Sequence, residues 1–109
     1  MINYDHFRTI EVKIGKILSA EKIPDTDKLL KLSVDVGEAA PRQIVSGIAM
    51  HFPDPAILAG KLCPFVTNLE PRMIRGHESQ GMIMAASNDQ GQFSLLEAAA
   101  GLTPGSVVK

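Results

Sequence analysis

Tryptophan is absent, and Tyr4, Phe7, Phe52, Phe65 and Phe93 are the only aromatic residues among 109. So few rings, some needed for a core, exclude a stacking platform for single-stranded nucleic acid. Cysteine occurs once, at Cys63, so no internal disulfide can form and no Cys/His spacing suggests structural zinc. Cys63 lies in an apolar stretch and is expected to be a small buried side chain. Long apolar runs are missing too. The N-terminal "MINYDHFRTIEV" has no long apolar stretch, so neither a signal peptide nor a membrane anchor is expected, and a cytoplasmic location is the default expectation. No strong excess of one charge exists: 11 Lys and Arg stand against 12 Asp and Glu, a formal charge of -1. Global electrostatics therefore neither attract nor repel a polyanion strongly.

The charge that is present is unevenly spread. Residues 13–31 hold Lys13, Lys16, Lys22, Lys28 and Lys31, and residues 61–75 hold Lys61, Arg72 and Arg75. Between 78 and 108 there is no Lys or Arg at all. A fold that joins the two basic segments would make a basic patch on a neutral protein. The alternative is a solvated surface with scattered lysines.

At 109 residues the chain is expected to be a single domain, 1–109, with one core. Most of it has strand periodicity. Apolar residues alternate at Ile10, Val12 and Ile14 and change parity after Gly15, which suggests a bulge or bend there. "KIPDTDK" is a loop by its turn chemistry, in which Asp25 and Asp27 shape a turn. Leu30, Leu32, Val34 and Val36 alternate cleanly up to Gly37, and "RQIVSGI" is a third strand. In "DPAILAG", Asp54 suits a helix cap, Pro55 a first turn and Gly60 an end. "KLCPFVTNL" is a fourth strand, with Pro64 expected at an edge or bulge. "EPRMIRGHESQ" is expected to be a loop, "GMIMAAS" a fifth strand, "NDQG" a tight turn and "QFSLLE" a short sixth strand. A Pro-Gly turn and an extended tail end the chain. This order predicts an all-β, five-stranded OB-fold barrel with a short helix between strands three and four, plus a C-terminal extension. An SH3-like barrel or small sandwich is the competing plan.

No catalytic constellation is visible. His6, His51 and His77 have no partner at a metal or nucleophile spacing, and the Gly76 to Gly81 spacing lacks the Lys and Ser/Thr of a phosphate loop. No enzyme activity, metal or cofactor is expected. "RMIRGHES" instead offers Arg forks, a His and hydroxyls suited to phosphate and sugar oxygens. The plainer reading makes it a surface hairpin whose arginines pair with Glu70 and Glu78.

The ordered blocks "VKIGKILSAEKIPDTDKLLKLSVDVG", "RQIVSGIA", "LAGKL", "VTNLEPRMIRGHESQGMIMAAS" and "PGSVV" resemble the tRNA-binding domain family. That domain occurs at the C-terminus of many bacterial methionyl-tRNA synthetases, in the β subunit of phenylalanyl-tRNA synthetase, in the chaperone CsaA and in freestanding proteins. The resemblance runs from about Phe7 to the end. It implies an OB-fold, usually a homodimer, that grips structured tRNA with little sequence preference, alone or with a methionyl-tRNA synthetase catalytic subunit. The synthetase's own HIGH and KMSKS signatures are absent. That fits a freestanding protein, a split-off subunit or an excised domain. The positions implied as tRNA contacts are Lys28, Arg42, Ser46, Asn68, Arg75, Ser79, Gln80 and Met82. Lys61 and Arg72 join them on charge alone. Gly76 and Gly81 are better read as turn glycines, and Met82 is also open to core packing. Two other readings stay open: a CsaA-like chaperone that binds unfolded polypeptides, and a purely structural docking domain.

Overall fold

A computed structural model describes all residues, Met1–Lys109. β1 (Val12–Lys22) is long because it serves two partners in turn. Its first half pairs with β4 (Leu62–Val66) from Val12↔Val66 to Lys16↔Leu62. Its second half pairs with β2 (Leu30–Asp35) from Lys16↔Asp35 to Lys22↔Leu30. Lys16 stands at the hand-over. β2 continues to β3 (Arg42–Ser46) through Leu32↔Ile44 and its neighbours. β4 continues to β7 (Met82–Ile83), which gives the sheet order β3-β2-β1-β4-β7, antiparallel throughout.

Side chains complete the barrel where a regular ladder does not. β3 meets the end of β6 (His77–Ser79) and Gln80. Gln80 N–H donates to the Gln43 carbonyl at 2.8 Å, and Val45 N–H donates to Ser79 Oγ at 3.0 Å. Gly81 then turns the chain from β3 towards β4. A Cβ there would sit 2.9 Å from the Val66 carbonyl oxygen, so only glycine fits so close an approach. The result is the closed OB-fold plan expected from the sequence.

Inside are Ile17, Leu30, Leu32, Val34, Ile44, Leu58, Cys63 and Phe65, all fully buried. The alternation in β2 is strict, because one face meets this core and the other meets water. Leu58 comes from a 3-10 turn, Pro55–Leu58, between β3 and β4. Asp54 caps it by accepting from Ala56 N–H at 3.1 Å, Ala59 ends it in an extended conformation, and Gly60 at φ +91° follows in the turn that Lys61 N–H closes on the Leu58 carbonyl. Desolvation at Cys63 pushes its thiol up to about 11. The folded state therefore holds the thiol form, and this site's contribution to stability is lost as pH rises from the ordinary thiol range towards that value. In native protein at pH 8, Cys63 should react with Ellman's reagent far more slowly than in urea. Equal rates in the two states would contradict the burial.

Several details differ from the sequence reading. Ile10 is outside the strand and 46% exposed, since β1 starts only at Val12. The register shift lies between Ile17 and Ser19, not at Gly15. Gly15 is instead a packing position, buried one residue before β1 passes from β4 to β2. Pro64 is neither at an edge nor at a bulge. It lies in β4 between β1 and β7, opposite Ile14. The β7 ladder stops beside it at Phe65↔Ile83, and Met84 N–H donates to the Pro64 carbonyl at 3.1 Å. The Met84 carbonyl, given no donor by Pro64, accepts from Leu96 N–H at 3.4 Å. The proline thus hands the chain from the barrel to the hairpin of β8 (Ala85–Ser87) and β9 (Phe93–Leu95). The expected fifth strand is split there. Asn88 closes the expected tight turn, its side-chain oxygen accepting from Gln90 and Gln92 N–H.

The C-terminal end of the chain is tied to β1. The Pro-Gly turn places Gly105 N–H on the Ile14 carbonyl at 2.7 Å and Val108 N–H on the Val12 carbonyl at 2.9 Å. A short α1 (Tyr4–Phe7) precedes β1, capped by Asn3. No helix is long and apolar enough to cross a membrane.

Candidate nucleic-acid interface

Of the two readings of this segment, a loop and a surface hairpin, the hairpin holds. β5 (Arg72–Ile74) pairs with β6 in the register Arg72↔Ser79, Met73↔Glu78, Ile74↔His77. Two residues join them, Arg75 at φ +51° and Gly76 at φ +83°. Positive φ at both central positions marks a type I′ turn, whose twist matches that of the strands. Glycine suits this conformation and arginine does not, so Arg75 is held at some cost in backbone strain. Arg75→Asn should keep the turn and raise stability by about 0.5–1 kcal/mol, because asparagine tolerates this region. Urea denaturation measures it, and a loss of stability would contradict the strain.

Across from the hairpin lies the loop after β1. Thr26 Oγ1 donates to the Ile23 carbonyl at 2.8 Å, and Ile23 N–H donates to the Leu29 carbonyl at 3.2 Å. The Lys28 carbonyl accepts from Ala49 N–H at 2.9 Å, which anchors the loop while leaving the Lys28 side chain exposed. Between loop and hairpin is an open cleft of about 570 Å³ lined by Lys28, Arg72, Arg75, Thr26, Asp27 and Met73, among others. A second groove of about 560 Å³ continues past Arg75 towards Asp25 and His77. The two basic segments of the sequence therefore meet here.

Lys28, Arg72 and Arg75 are exposed and make no ion pair. The simpler expectation, that Glu70 and Glu78 neutralise the arginines, does not hold. The hairpin register sets Glu78 opposite Met73, not opposite either arginine. Three unpartnered cations in one concave surface suit a ligand that presents several anionic oxygens. No aromatic residue lines the cleft. No group of three His, Cys, Asp or Glu side chains is arranged to hold a metal ion.

The other positions implied by the family resemblance stand elsewhere or are occupied. Arg42 directs Nε and Nη2 at the Glu38 carboxylate (2.8 and 2.7 Å) and Nη1 at the Thr67 and Gln80 carbonyls (2.6 and 3.0 Å). That pairing raises the Arg42 pKa and lowers the Glu38 pKa, with the hydrogen bond between them the main cause in each. Ser79 is 5% exposed, and its hydroxyl joins Val45 N–H to the Gly81 carbonyl. Gln80 Oε1 accepts from Gln43 N–H at 2.9 Å. Asn68 straps the N-terminal segment down, accepting from Glu11 N–H and donating to the Thr9 carbonyl. Lys61 faces Glu97 at 3.4 Å, outside the cleft. Ser46 is half-buried at the end of β3. Met82 is 49% exposed while its neighbour Ile83 fills the core, so Met82 is not a core residue. Thr26 and Met73 line the cleft without having been singled out in the sequence. The two-residue Arg-Gly turn, flanked by "RMI" and "HES", was the signal that could have revealed Met73 as a hairpin residue.

The sequence profile of a family described as "Putative tRNA binding domain" matches residues 12–107. The chain belongs to the tRNA-binding domain family. It is 44% identical over 97 residues to a methionine–tRNA ligase of Enterococcus faecalis, covering 89% of this chain and 14% of the ligase. To the methionine–tRNA ligase of Xanthomonas campestris it is 41% identical over 109 residues, covering 100% of this chain and 16% of the ligase. The chain thus spans about one-sixth of the length of the ligases it matches. Among solved structures, a MetRS-related protein from Pyrococcus horikoshii superposes with a TM-score of 0.92 at 39% identity, covering 100% of this chain and 98% of that one. The chaperone CsaA of Bacillus anthracis superposes with a TM-score of 0.87 at 26% identity, covering 100% and 99%. The chain therefore matches a part of each synthetase in sequence and nearly the whole of two small proteins in fold.

Proposed function

We propose that this tRNA-binding domain grips structured tRNA, largely without sequence preference, through the cleft between the 23–29 loop and the β5–β6 hairpin. The observation that carries this reading is the convergence of Lys28, Arg72 and Arg75, all exposed and unpaired, in one family member's cleft. Cations without neighbouring rings read backbone and shape, not stacked bases. The domain supplies affinity, not chemistry. It acts in the cytoplasm, alone as a homodimer or with a methionyl-tRNA synthetase catalytic body. Two clefts on one dimer would add avidity if both reached one tRNA.

The test is fluorescence anisotropy of labelled bulk tRNA titrated with the protein at several salt concentrations. Three cations releasing counterions should give a log–log slope of about -2 to -3. Arg75→Asn, which spares the turn, should weaken binding about fivefold to tenfold and flatten the slope by about one. Absence of tRNA binding at low salt would sink the reading.

One feature favours a second function of the CsaA kind. Leu69, Met73 and Met82 are 46%, 67% and 49% exposed, and Met is suited to adaptable apolar contacts. Competition between tRNA and an unfolded polypeptide decides it, because only the chaperone reading has the polypeptide bind.

A further inference from the structure

The β5–β6 hairpin, which carries Arg72 and Arg75, hangs from the barrel by one seam. Six hydrogen bonds join residues 78–80 to β3, the longest from Ser79 Oγ to the Val45 carbonyl at 3.5 Å. Gln80 N–H reaches the Gln43 carbonyl, and Gln43 N–H reaches Gln80 Oε1. Gln43 Nε2 reaches the Glu78 carbonyl at 3.0 Å, Val45 N–H reaches Ser79 Oγ, and Arg42 Nη1 reaches the Gln80 carbonyl. Arg42 goes further than the others, because the same Nη1 also reaches Thr67 at the end of β4. One guanidinium therefore ties β3, β4 and the root of the hairpin together, and Glu38 fixes its orientation through two hydrogen bonds.

We propose that Arg42, oriented by Glu38, is a positioning residue that fixes the β5–β6 hairpin against the barrel and so holds Arg72 and Arg75 in register with Lys28. It is not itself a phosphate contact. This rests on the cleft being the tRNA site. Four of the five guanidinium N–H groups are already used within the protein, and the charge is matched by a carboxylate at 2.7 Å. A phosphate would have to displace Glu38 to gain a bidentate contact. Ser79 and Gln80 belong to the same clasp, since their side chains accept from β3 backbone amides instead of facing a ligand.

The two roles separate on Arg42→Lys. A phosphate contact made through charge keeps most of its strength with lysine and leaves the hairpin amides of the free protein as they were. A clasp does not, because one ammonium cannot reproduce a planar fork serving a carboxylate and two carbonyls. The experiment compares wild type, Arg42→Lys and Arg42→Ala, all first shown folded by thermal melting. Amide hydrogen exchange of the free protein is the first readout. Exchange at Gln80 and in the β5–β6 hairpin should rise about tenfold in Arg42→Lys, with the β1–β2 amides unchanged. The second readout is tRNA affinity, which should fall about fivefold to tenfold in both variants alike. Unchanged exchange at Gln80, or wild-type affinity in Arg42→Lys, would overturn the proposal. If wild type itself binds no tRNA, the functional reading fails, while the exchange data still decide whether Arg42 holds the hairpin.

Discussion

Reversing Arg72 and Arg75 together to glutamate should weaken tRNA binding at least about a hundredfold at 0.1 M salt. Two charge-assisted contacts are lost, and two carboxylates then face the phosphates across a cleft that already holds Asp27. The melting temperature should stay close to wild type, because both side chains are exposed and unpaired. Lys61→Glu is the control. Lys61 lies outside the cleft against Glu97, so its reversal should change affinity by less than about threefold. Equal losses from Lys61→Glu and the double variant would mean that overall charge, not the cleft, governs binding. A double variant that binds like wild type would remove the cleft from consideration.

Gly15→Val should be the most damaging single change in the barrel, with a loss of about 3 kcal/mol or more. A Cβ at residue 15 would lie 2.7 Å from Val34 Cγ1 and 2.8 Å from Phe65 Cδ1. Both neighbours are fully buried, on the two strands that flank β1, so neither can swing out to water. Gly15 stands one residue before Lys16, where the pairing of β1 passes from β4 to β2, and a side chain there meets both neighbours at once. Marginal stability makes such a loss a large share of the total for a chain of 109 residues. Urea denaturation measures it. Gly15→Ala is the milder companion, and combining it with Val34→Ala should cost less than the sum of the two, since the deleted methyl is the one in conflict. Strict additivity of the pair would show that the crowding lies elsewhere.

These two predictions draw on different kinds of information. The core was legible in the sequence. Strict alternation at Leu30, Leu32 and Val34 can be satisfied in only one way by a strand with one buried face. The Asp54-Pro55 start of the short helix and the positive φ of Gly60 in the turn after it were legible for a similar reason, because capping and positive φ are local chemistry. The lone Cys63 in an apolar run was equally plain, since nothing about its burial depends on a distant partner. The hairpin was legible only as one of two readings of its segment, a loop or a surface hairpin. An Arg-Gly turn is a poorer signal than Asn-Gly, and arginine at positive φ is uncommon enough to read as loop.

What lay beyond the sequence was every assignment that depends on where a side chain finds its partner. Arg42, Ser79 and Gln80 carry groups that suit a phosphate as well as they suit a carbonyl, and composition cannot choose between them. The fold chooses by bringing β3 within 3.0 Å of Ser79 and 2.9 Å of Gln80, which commits those groups to the barrel seam. The same closure brings the 23–29 loop to the hairpin and leaves Lys28, Arg72 and Arg75 without acidic partners. The alternating strands, the Asp54 helix start and the supply of cations follow from the period and chemistry of neighbouring residues. Only the tertiary structure decided which cations remain free to bind, because a hydrogen bond across 37 residues is set by barrel closure and not by proximity along the chain.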